Sequence, residues 1–382
     1  TETWRDVLYG SEKPEVDGST PSLTTRASLN ERGSLRNPLS CRGFIHSGAL
    51  RIHESQRQWA PFRCCNGDVE GGSVAALRWG IMGTGGIAGA MAEVLTTVGS
   101  QVVAVGSARP GAAEQFARKW SIPGAVHSHR AVAEIDDVDV IYVATTNDQH
   151  LENVLDCIKF GKPALCEKPI AVNARQAQEM LGAAEKANVF VTEALWMSFL
   201  PFMAKIDQLI AEGAIGEVRH VQAGFSYPAP QDQFRRWMSR DLGGGALLDL
   251  GIYPLSLVHH LLGPPESFEA NAHIGPTGVD HDTRVISHHA AGASASVASG
   301  FTADIANEAV VSGSEARIRI HSPFHHSPLL TLEQRGEVVA SYDTSYPGHG
   351  FRFEIAEVER CLAGNLTESP FRSHADTLAV LK

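Results

Sequence analysis

The sequence predicts an α/β protein, in which a Rossmann-type doubly wound parallel sheet is followed by an α+β domain built on a large, mostly antiparallel open sheet. Three observations predict it. Short runs rich in Val and Ile alternate with amphipathic stretches over residues 75–194. A glycine-rich turn, Gly83-Thr84-Gly85-Gly86-Ile87-Ala88, joins the first run to the first amphipathic stretch. From residue 195 the alternation stops, and segments of period two follow, separated by Gly and Pro.

In chain order, residues 1–74 lack periodicity and are rich in Ser, Gly, Arg and Pro, with too few apolar clusters to offset the entropy of ordering. They read as a disordered leader, or as translated upstream sequence ahead of a start near Val74. The runs LRWGIM, QVVAVGS, VDVIYVAT and PALCE are apolar on both faces, as buried parallel strands are. Around them the spacing predicts helices over 87–98, 112–120, 149–160 and 174–187. Farther on, VRHVQAGFSY, SFEANAHIG, TRVISHHA, ASASVASGFTA, EAVVSGSEARIRI and LLTLEQRGEVVASY alternate in polarity as half-buried strands do. The chain thus divides into 1–74, a dinucleotide-binding domain over 75–194 and a second domain over 195–382.

Composition narrows the function. Residues 1–75 carry nine Lys/Arg and nine Asp/Glu, so the net charge of −11 (32 − 43) falls on the remainder and argues against a nucleic-acid partner. No uninterrupted apolar run of about 18 residues occurs, which argues against a membrane span. The six cysteines show no C-x-x-C spacing, and a reducing cytoplasm is the expected compartment. The doublets His259-His260, His288-His289 and His325-His326 point their side chains in different directions and do not suit one metal ion; no metal site is expected.

In the glycine-rich turn, Gly83 permits the turn, Gly85 lets the backbone approach a pyrophosphate, and Ala88 lets helix and sheet pack closely. Thr84, Gly86 and Ile87 complete a loop whose N–H groups and helix dipole face the phosphates. An NAD site places an acid about 20 residues on, against the ribose, yet no Asp or Glu occurs between Ser100 and Ala113. Ser107 can donate to a 2′-phosphate and Arg109 can pair with it. NADP is therefore the expected cofactor, with NAD the second choice.

Thr145, Thr146, Asn147 and His150 fall at the end of VDVIYVAT, and Glu167-Lys168-Pro169 at the end of the next strand. Carboxyl ends of parallel strands line the ligand crevice, so Thr145, Asn147, His150, Glu167 and Lys168 are expected at the cofactor. In GGGALLDLGIY, a Gly-rich turn leads into a helix with Asp249 and Tyr253 at i and i+4 on one face.

The motifs GTGGIA, ATTNDQH, CEKP and GGGALLDLGIY, in this order and with EALW ahead of the second domain, resemble the Gfo/Idh/MocA oxidoreductases over about residues 75–382. Tyr253, where many members carry His, and Glu193-Ala-Leu-Trp196 are similar to the branch of dihydrodiol dehydrogenases and NADP-dependent D-xylose 1-dehydrogenases. The resemblance makes Lys168 and Tyr253 the catalytic pair.

Chemistry agrees with it. Oxidising an alcohol requires hydride departure and removal of the hydroxyl proton. A phenol with pKa of about 10 is a poor base, and a neighbouring ammonium, Lys168, is expected to lower that value. Tyr253 then serves as base, or as acid in the reverse direction. Lys168 polarises the substrate oxygen, and Asp249 orients substrate or Lys168.

Trp196 and Phe199 are expected either to wall the nicotinamide and substrate or to pack the domain junction. Arg236 is expected to touch substrate or a cofactor phosphate, or to be a loop charge. The acidic surface favours a small neutral sugar or diol as substrate. Relatives in the family pair through the open face of the second sheet, which implies a homodimer. They also run on beyond this chain's last helix, which therefore reads as truncated. Two other functions stay open, an NAD-assisted glycoside hydrolase of the same family and a non-catalytic NADPH-sensing regulator. Retention of both Lys168 and Tyr253 argues against the regulator.

Overall fold

A strand that is apolar on both faces needs cover on each side, and the first half of the chain supplies it by alternation. In the computed structural model, which describes residues 76–229 and 234–382, the elements run β1 (Arg78–Met82), α1 (Gly86–Thr97), β2 (Gln101–Gly106), α2 (Ala112–Trp120), β3 (Gly124–Val126), α3 (Arg130–Ala133), β4 (Val140–Val143), α4 (His150–Lys159), β5 (Ala164–Glu167), α5 (Ala174–Ala187) and β6 (Val191–Ala194). The expected leader lies outside the described residues. The six strands are all parallel in the order β3-β2-β1-β4-β5-β6. The strand order reverses between β1 and β4, and that is where a doubly wound sheet opens its ligand crevice. β4, β5 and β6 are buried along their whole length. Local chemistry sets the helix ends: Asn173 caps α5 by accepting from the Gln176 amide at 3.0 Å, and Asn188 closes it in a left-handed conformation.

The second part comprises α6 (Pro201–Ala211), β7 (Val218–Ser226), α7 (Phe234–Trp237), α8 (Ile252–Leu262), β8 (Ser267–Ile274), β9 (Asp280–His288), β10 (Ser294–Gly300), β11 (Ala309–Gly313), β12 (Arg317–Ile320), β13 (Leu329–Gln334), β14 (Glu337–Asp343), α9 (Phe351–Ala363) and α10 (His374–Leu381). Its sheet runs β14-β13-β12-β11-β7-β10-β9-β8. The hairpin neighbours are antiparallel, and β7 and β10 are parallel because a long connection through α8 separates them. The segment Arg240–Leu262 is long and apolar enough by composition to cross a membrane, but 56% of its most apolar window is buried inside the fold. It carries Asp249 and packs beneath the second sheet, so here it is a core element.

The domain division drawn from the sequence needs one correction. α9 and α10 were assigned to the second domain, yet Phe351, Ile355, Val358 and Cys361 of α9 share a core with Trp79, Leu95 and Tyr142 on one face of the parallel sheet. Leu378 and Leu381 of α10 pack against the core on its other face, with Ile141 and Val191. An amphipathic helix specifies that it has an apolar face, not which sheet receives it.

Candidate active site

The site begins at the turn after β1. Gly83 has φ of 110°, and a Cβ there would lie 2.5 Å from the Ala144 carbonyl oxygen, so only glycine fits. Its amide donates to the Gly106 oxygen at 2.9 Å, tying the turn to the end of β2. Beyond it the surface is open: nothing lies within 4 Å of a Cβ built on Gly85 or Gly86. α1 has no capping side chain and no acid in its first turn. An uncapped helix N-terminus beneath open glycine backbone fits a pyrophosphate. Ile87 is half-buried, and Ala88 is fully buried against the sheet. At the end of β2, Arg109 donates to the Thr84 hydroxyl at 3.1 Å, and its amide donates to the Ser107 hydroxyl at 3.3 Å. Thr84, Ser107 and Arg109 thus form one polar patch beside the turn.

The ends of β4 and β5 are locked rather than reactive. The His150 ring is fully buried between the Pro169 oxygen (2.9 Å) and the Thr145 oxygen (3.3 Å). Burial holds its pKa below the ordinary value, so it stays neutral and donates its single N–H to one of the two carbonyl oxygens. Asn153 donates to the Thr145 hydroxyl at 2.9 Å, and Asn147 donates to the Gly243 oxygen at 2.9 Å. Thr146 starts the turn and accepts from Gln149. Behind Lys168, Glu193 accepts from the Ile170 amide at 2.8 Å and is clamped by Arg372. This buried pair was not foreseen, because its cation comes from far down the chain.

Lys168 and Tyr253 are brought together, but not as expected. Residues Leu247–Gly251 form a π-helical turn leading into α8, and Asp280 braces it by accepting from the Leu247 amide at 2.8 Å. From this turn the Asp249 carbonyl (2.8 Å) and carboxylate (3.1 Å) take two of the three Lys168 N–H groups. Burial raises the Asp249 carboxyl, but Lys168 and Arg236 outweigh it and hold the group below its ordinary value. The Lys168 nitrogen sits 5.1 Å over the Tyr253 ring rather than at its hydroxyl. Burial, then Glu167, Asp249 and Glu354, push the Tyr253 phenol well above its ordinary value. The expectation that Lys168 lowers it is not met: burial of the phenol is the larger influence, and the ammonium is paired with Asp249.

The Tyr253 hydroxyl accepts from Trp196 Nε1 at 3.1 Å. Trp196 in turn stacks on His326 at 5.3 Å and His349 at 5.7 Å, and meets Phe351 edge-on at 5.4 Å. Beside Tyr253, His325 stacks on Phe225 at 4.3 Å. Burial and mutual repulsion hold these imidazoles neutral, with His325 well below its ordinary value and His349 lowered to about 4. The histidine doublet noticed in the sequence is thus part of an aromatic wall, although nothing local signalled it. Phe199 is 1% exposed and buried in the core, so it offers substrate no surface. Arg236 is exposed, and its charge reaches Asp249, Glu167 and His150. Glu167 turns inward, accepting from the Tyr142 hydroxyl and from the Lys168 amide at 3.1 Å. No convergent group of three or more His, Cys, Asp or Glu side chains occurs among the described residues.

An open phosphate cradle at a Rossmann switch point, with a lysine at the end of β5 and a tyrosine from the next domain beside it, defines a dinucleotide-dependent oxidoreductase. The oxidoreductase family model with an NAD-binding Rossmann fold matches residues 77–195, and the GFO/IDH/MocA C-terminal domain model matches residues 203–319. The trans-1,2-dihydrobenzene-1,2-diol dehydrogenase of Xenopus tropicalis is 35% identical over 315 residues, which are 79% of this chain and 94% of that protein. The Mus musculus protein of the same name is 35% identical over 304 residues, 77% of this chain and 91% of its own. Among solved structures, an aldose-aldose oxidoreductase from Caulobacter crescentus superposes with a TM-score of 0.72 at 23% identity, covering 80% of this chain and 95% of that one. A 3-ketoreductase from Actinomadura kijaniata, solved with NADP and TDP-benzene, superposes with a TM-score of 0.70 at 26% identity, covering 81% and 95%. The chain belongs to the Gfo/Idh/MocA oxidoreductase family. It is an NAD(P)-dependent dehydrogenase acting on CH–OH donors.

Proposed function

We propose that the protein is an NADP-dependent dehydrogenase of a small neutral diol or aldose, with Tyr253 moving the proton and Lys168 polarising the reacting oxygen. The observation that carries this is the convergence of Lys168, Asp249, Tyr253 and Trp196 at the carboxyl end of β5. The bound dinucleotide supplies or accepts the hydride. Trp196 occupies an acceptor site of the Tyr253 oxygen and leaves its O–H to donate, so the ligand-free enzyme is set as a proton donor to a carbonyl oxygen. Asp249 uses two Lys168 donors and leaves the third for that same oxygen. Oxidation runs the path backwards: Tyr253 first gives its O–H proton to solvent, and as tyrosinate it takes the proton of the substrate hydroxyl while Lys168 stabilises the alkoxide.

The Thr84–Ser107–Arg109 patch, with no acid nearby in sequence, supports a 2′-phosphate and hence NADP. The names of the relatives support a diol or sugar hydroxyl. An absorbance assay at 340 nm with NADP and NAD against trans-diols and aldoses tests the reading. Lys168→Ala and Tyr253→Phe should each lower turnover by about 10²–10⁴-fold while NADPH still binds. Turnover within a few-fold of wild type in Tyr253→Phe would overturn the role of the phenol. Tight NADPH binding with no reduction of any substrate would favour a regulator.

The assembly proposed is a homodimer in which a second copy covers exposed Phe268 and Ile286 of the second sheet. A monomeric mass by light scattering would sink it. The compartment proposed is the cytoplasm, where the free thiols Cys157, Cys166 and Cys361 stay reduced.

A further inference from the structure

The π-helical turn Leu247–Gly251 and the helix α8 that continues it carry Asp249 and Tyr253. The first N–H groups of a helix have no partner within it, and Ala246, which precedes Leu247, offers no capping side chain. The cap comes instead from the start of β9. Oδ2 of Asp280 accepts from the Leu247 amide at 2.8 Å and from the Thr283 hydroxyl at 2.7 Å. Thr283 is buried in the sheet, which anchors that end of the brace. The other oxygen, Oδ1, lies over Gly245, where a Cβ would stand 2.5 Å from it. Gly245 has φ of 125°, which suits glycine, and its missing side chain leaves the carboxylate room to reach the helix start. An acid at that end also complements the helix dipole.

Asp249 lies two residues beyond Leu247 in the braced turn, and its carbonyl and carboxylate hold two Lys168 donors at 2.8 and 3.1 Å. A π-helical turn is an uncommon insertion that holds one residue more than an α turn. Its relaxation to α geometry would turn Tyr253 relative to Asp249 by about 100°, the angle of one residue. On the far side the turn rests on β10, where a Cβ at Gly251 would lie 3.0 Å from the Ser299 hydroxyl oxygen. Asp280 is thus joined to Lys168 through one turn of backbone, although the two residues come from different sheets.

We propose that Asp280 is a positioning residue of the reaction, which caps the π-helical turn from β9, fixes Asp249 on Lys168 and so leaves one ammonium N–H for the reacting oxygen. It acts through Asp249 and is not itself catalytic. The inference rests on the roles of Lys168 and Tyr253 proposed above. The cap requires an acceptor at the Leu247 amide, so an amide side chain in place of the carboxylate can serve and a methyl group cannot. The phosphate cradle at Gly83–Ala88 belongs to the other sheet, so dinucleotide affinity is independent of the cap.

The test is single-turnover hydride transfer to NADP by the full chain, from trans-1,2-dihydrobenzene-1,2-diol and from D-xylose, with NADPH binding followed by fluorescence titration. Asp280→Ala should slow transfer by roughly 10- to 100-fold, the usual cost of a misplaced reacting group. Its Kd for NADPH should stay within about threefold of wild type. Asp280→Asn, which keeps an acceptor, should restore the rate to within about threefold. If Asp280→Ala does not fold, Asp280→Thr, which suits the start of a strand but is one bond too short for the Leu247 amide, carries the same measurement. A wild-type rate without the acceptor, equal losses of rate and of NADPH affinity, or Asp280→Asn as slow as Asp280→Ala would overturn the proposal. Lys168→Ala and Tyr253→Phe separate it from the reading beneath it. If those two lose turnover and Asp280→Ala does not, this inference alone fails. Should they keep turnover, or should wild type transfer hydride from neither compound, the proposed function fails and this inference with it.

Discussion

The two glycine-rich turns that the sequence displays, one before α1 and one before α8, do opposite things. At the first, Gly85 and Gly86 face open space, and the missing side chains leave room for something that is not protein. At the second, a Cβ on Gly244 would lie 2.4 Å from the Trp237 oxygen and 2.9 Å from the Ser239 oxygen. There the missing side chain is filled by backbone of the same molecule. The contrast extends to what each turn serves. The cofactor side is built of exposed backbone and the polar patch of Thr84, Ser107 and Arg109, whereas the proton-transfer side is dry, with Asp249 and Tyr253 at 8% and 6% exposure. One signature in sequence covers both an anion cradle and a packing device.

Substitution by alanine separates the two most sharply. Gly244→Ala forces backbone against backbone and should destabilise the fold by about 3 kcal/mol, read as a lower melting temperature. Gly85→Ala, at φ of −77° with free space around it, should cost less than about 1 kcal/mol of stability. It should nonetheless weaken dinucleotide binding by at least about tenfold, because the methyl group occupies the phosphate approach. Equal losses of stability in the two variants would show that the first turn is packed as tightly as the second.

The wet half was far more legible in the sequence than the dry one. The helices after β2 and β5 begin and end at the residues expected, 112–120 and 174–187, because their apolar spacing and flanking residues are local. The strand-to-helix turn from Gly83 to Ala88 is likewise legible, since its glycines and the start of α1 lie in one short stretch of chain. The dry half is assembled from distant segments. Trp196 meets His326 and His349, and Tyr142 meets Glu167, through packing that no local period encodes. The π-helical turn at Asp249 depends on Asp280, which lies beyond α8. Lys168 and Tyr253 stand out as a pair in the sequence, but their electrostatics are reversed, because burial, and then carboxyls from three other elements, raise the Tyr253 phenol.

On the open side, Arg109 offers an intermediate effect. Its guanidinium is exposed beside Thr84, so a phosphate there is attracted across solvent and the gain is modest. Arg109→Ala should raise the Kd for NADP by about tenfold, equivalent to about 1.4 kcal/mol, and leave that for NAD within about twofold. High salt should shrink the difference. An equal loss for both nucleotides, measured by fluorescence titration, would assign Arg109 to the pyrophosphate or to the loop instead of the 2′-phosphate.

The last effect belongs to the dry side and appears as a slope. Glu354 has a folded pKa raised by burial and then by Glu167. Below the unfolded value of about 4.3 both states hold the proton, and its contribution to stability is fully present. As pH rises past that value the unfolded chain ionises while the folded one does not, so stability is lost with increasing pH. Glu354→Gln cannot titrate, and any constant cost of its buried amide is the same at every pH. The variant should therefore lose less stability than wild type between about pH 5 and pH 8, by up to about 1.4 kcal/mol per pH unit in urea unfolding. Parallel stability curves would mean that Glu354 ionises in the folded protein as it does in water. The dry half of the site would then be wetter than its packing indicates.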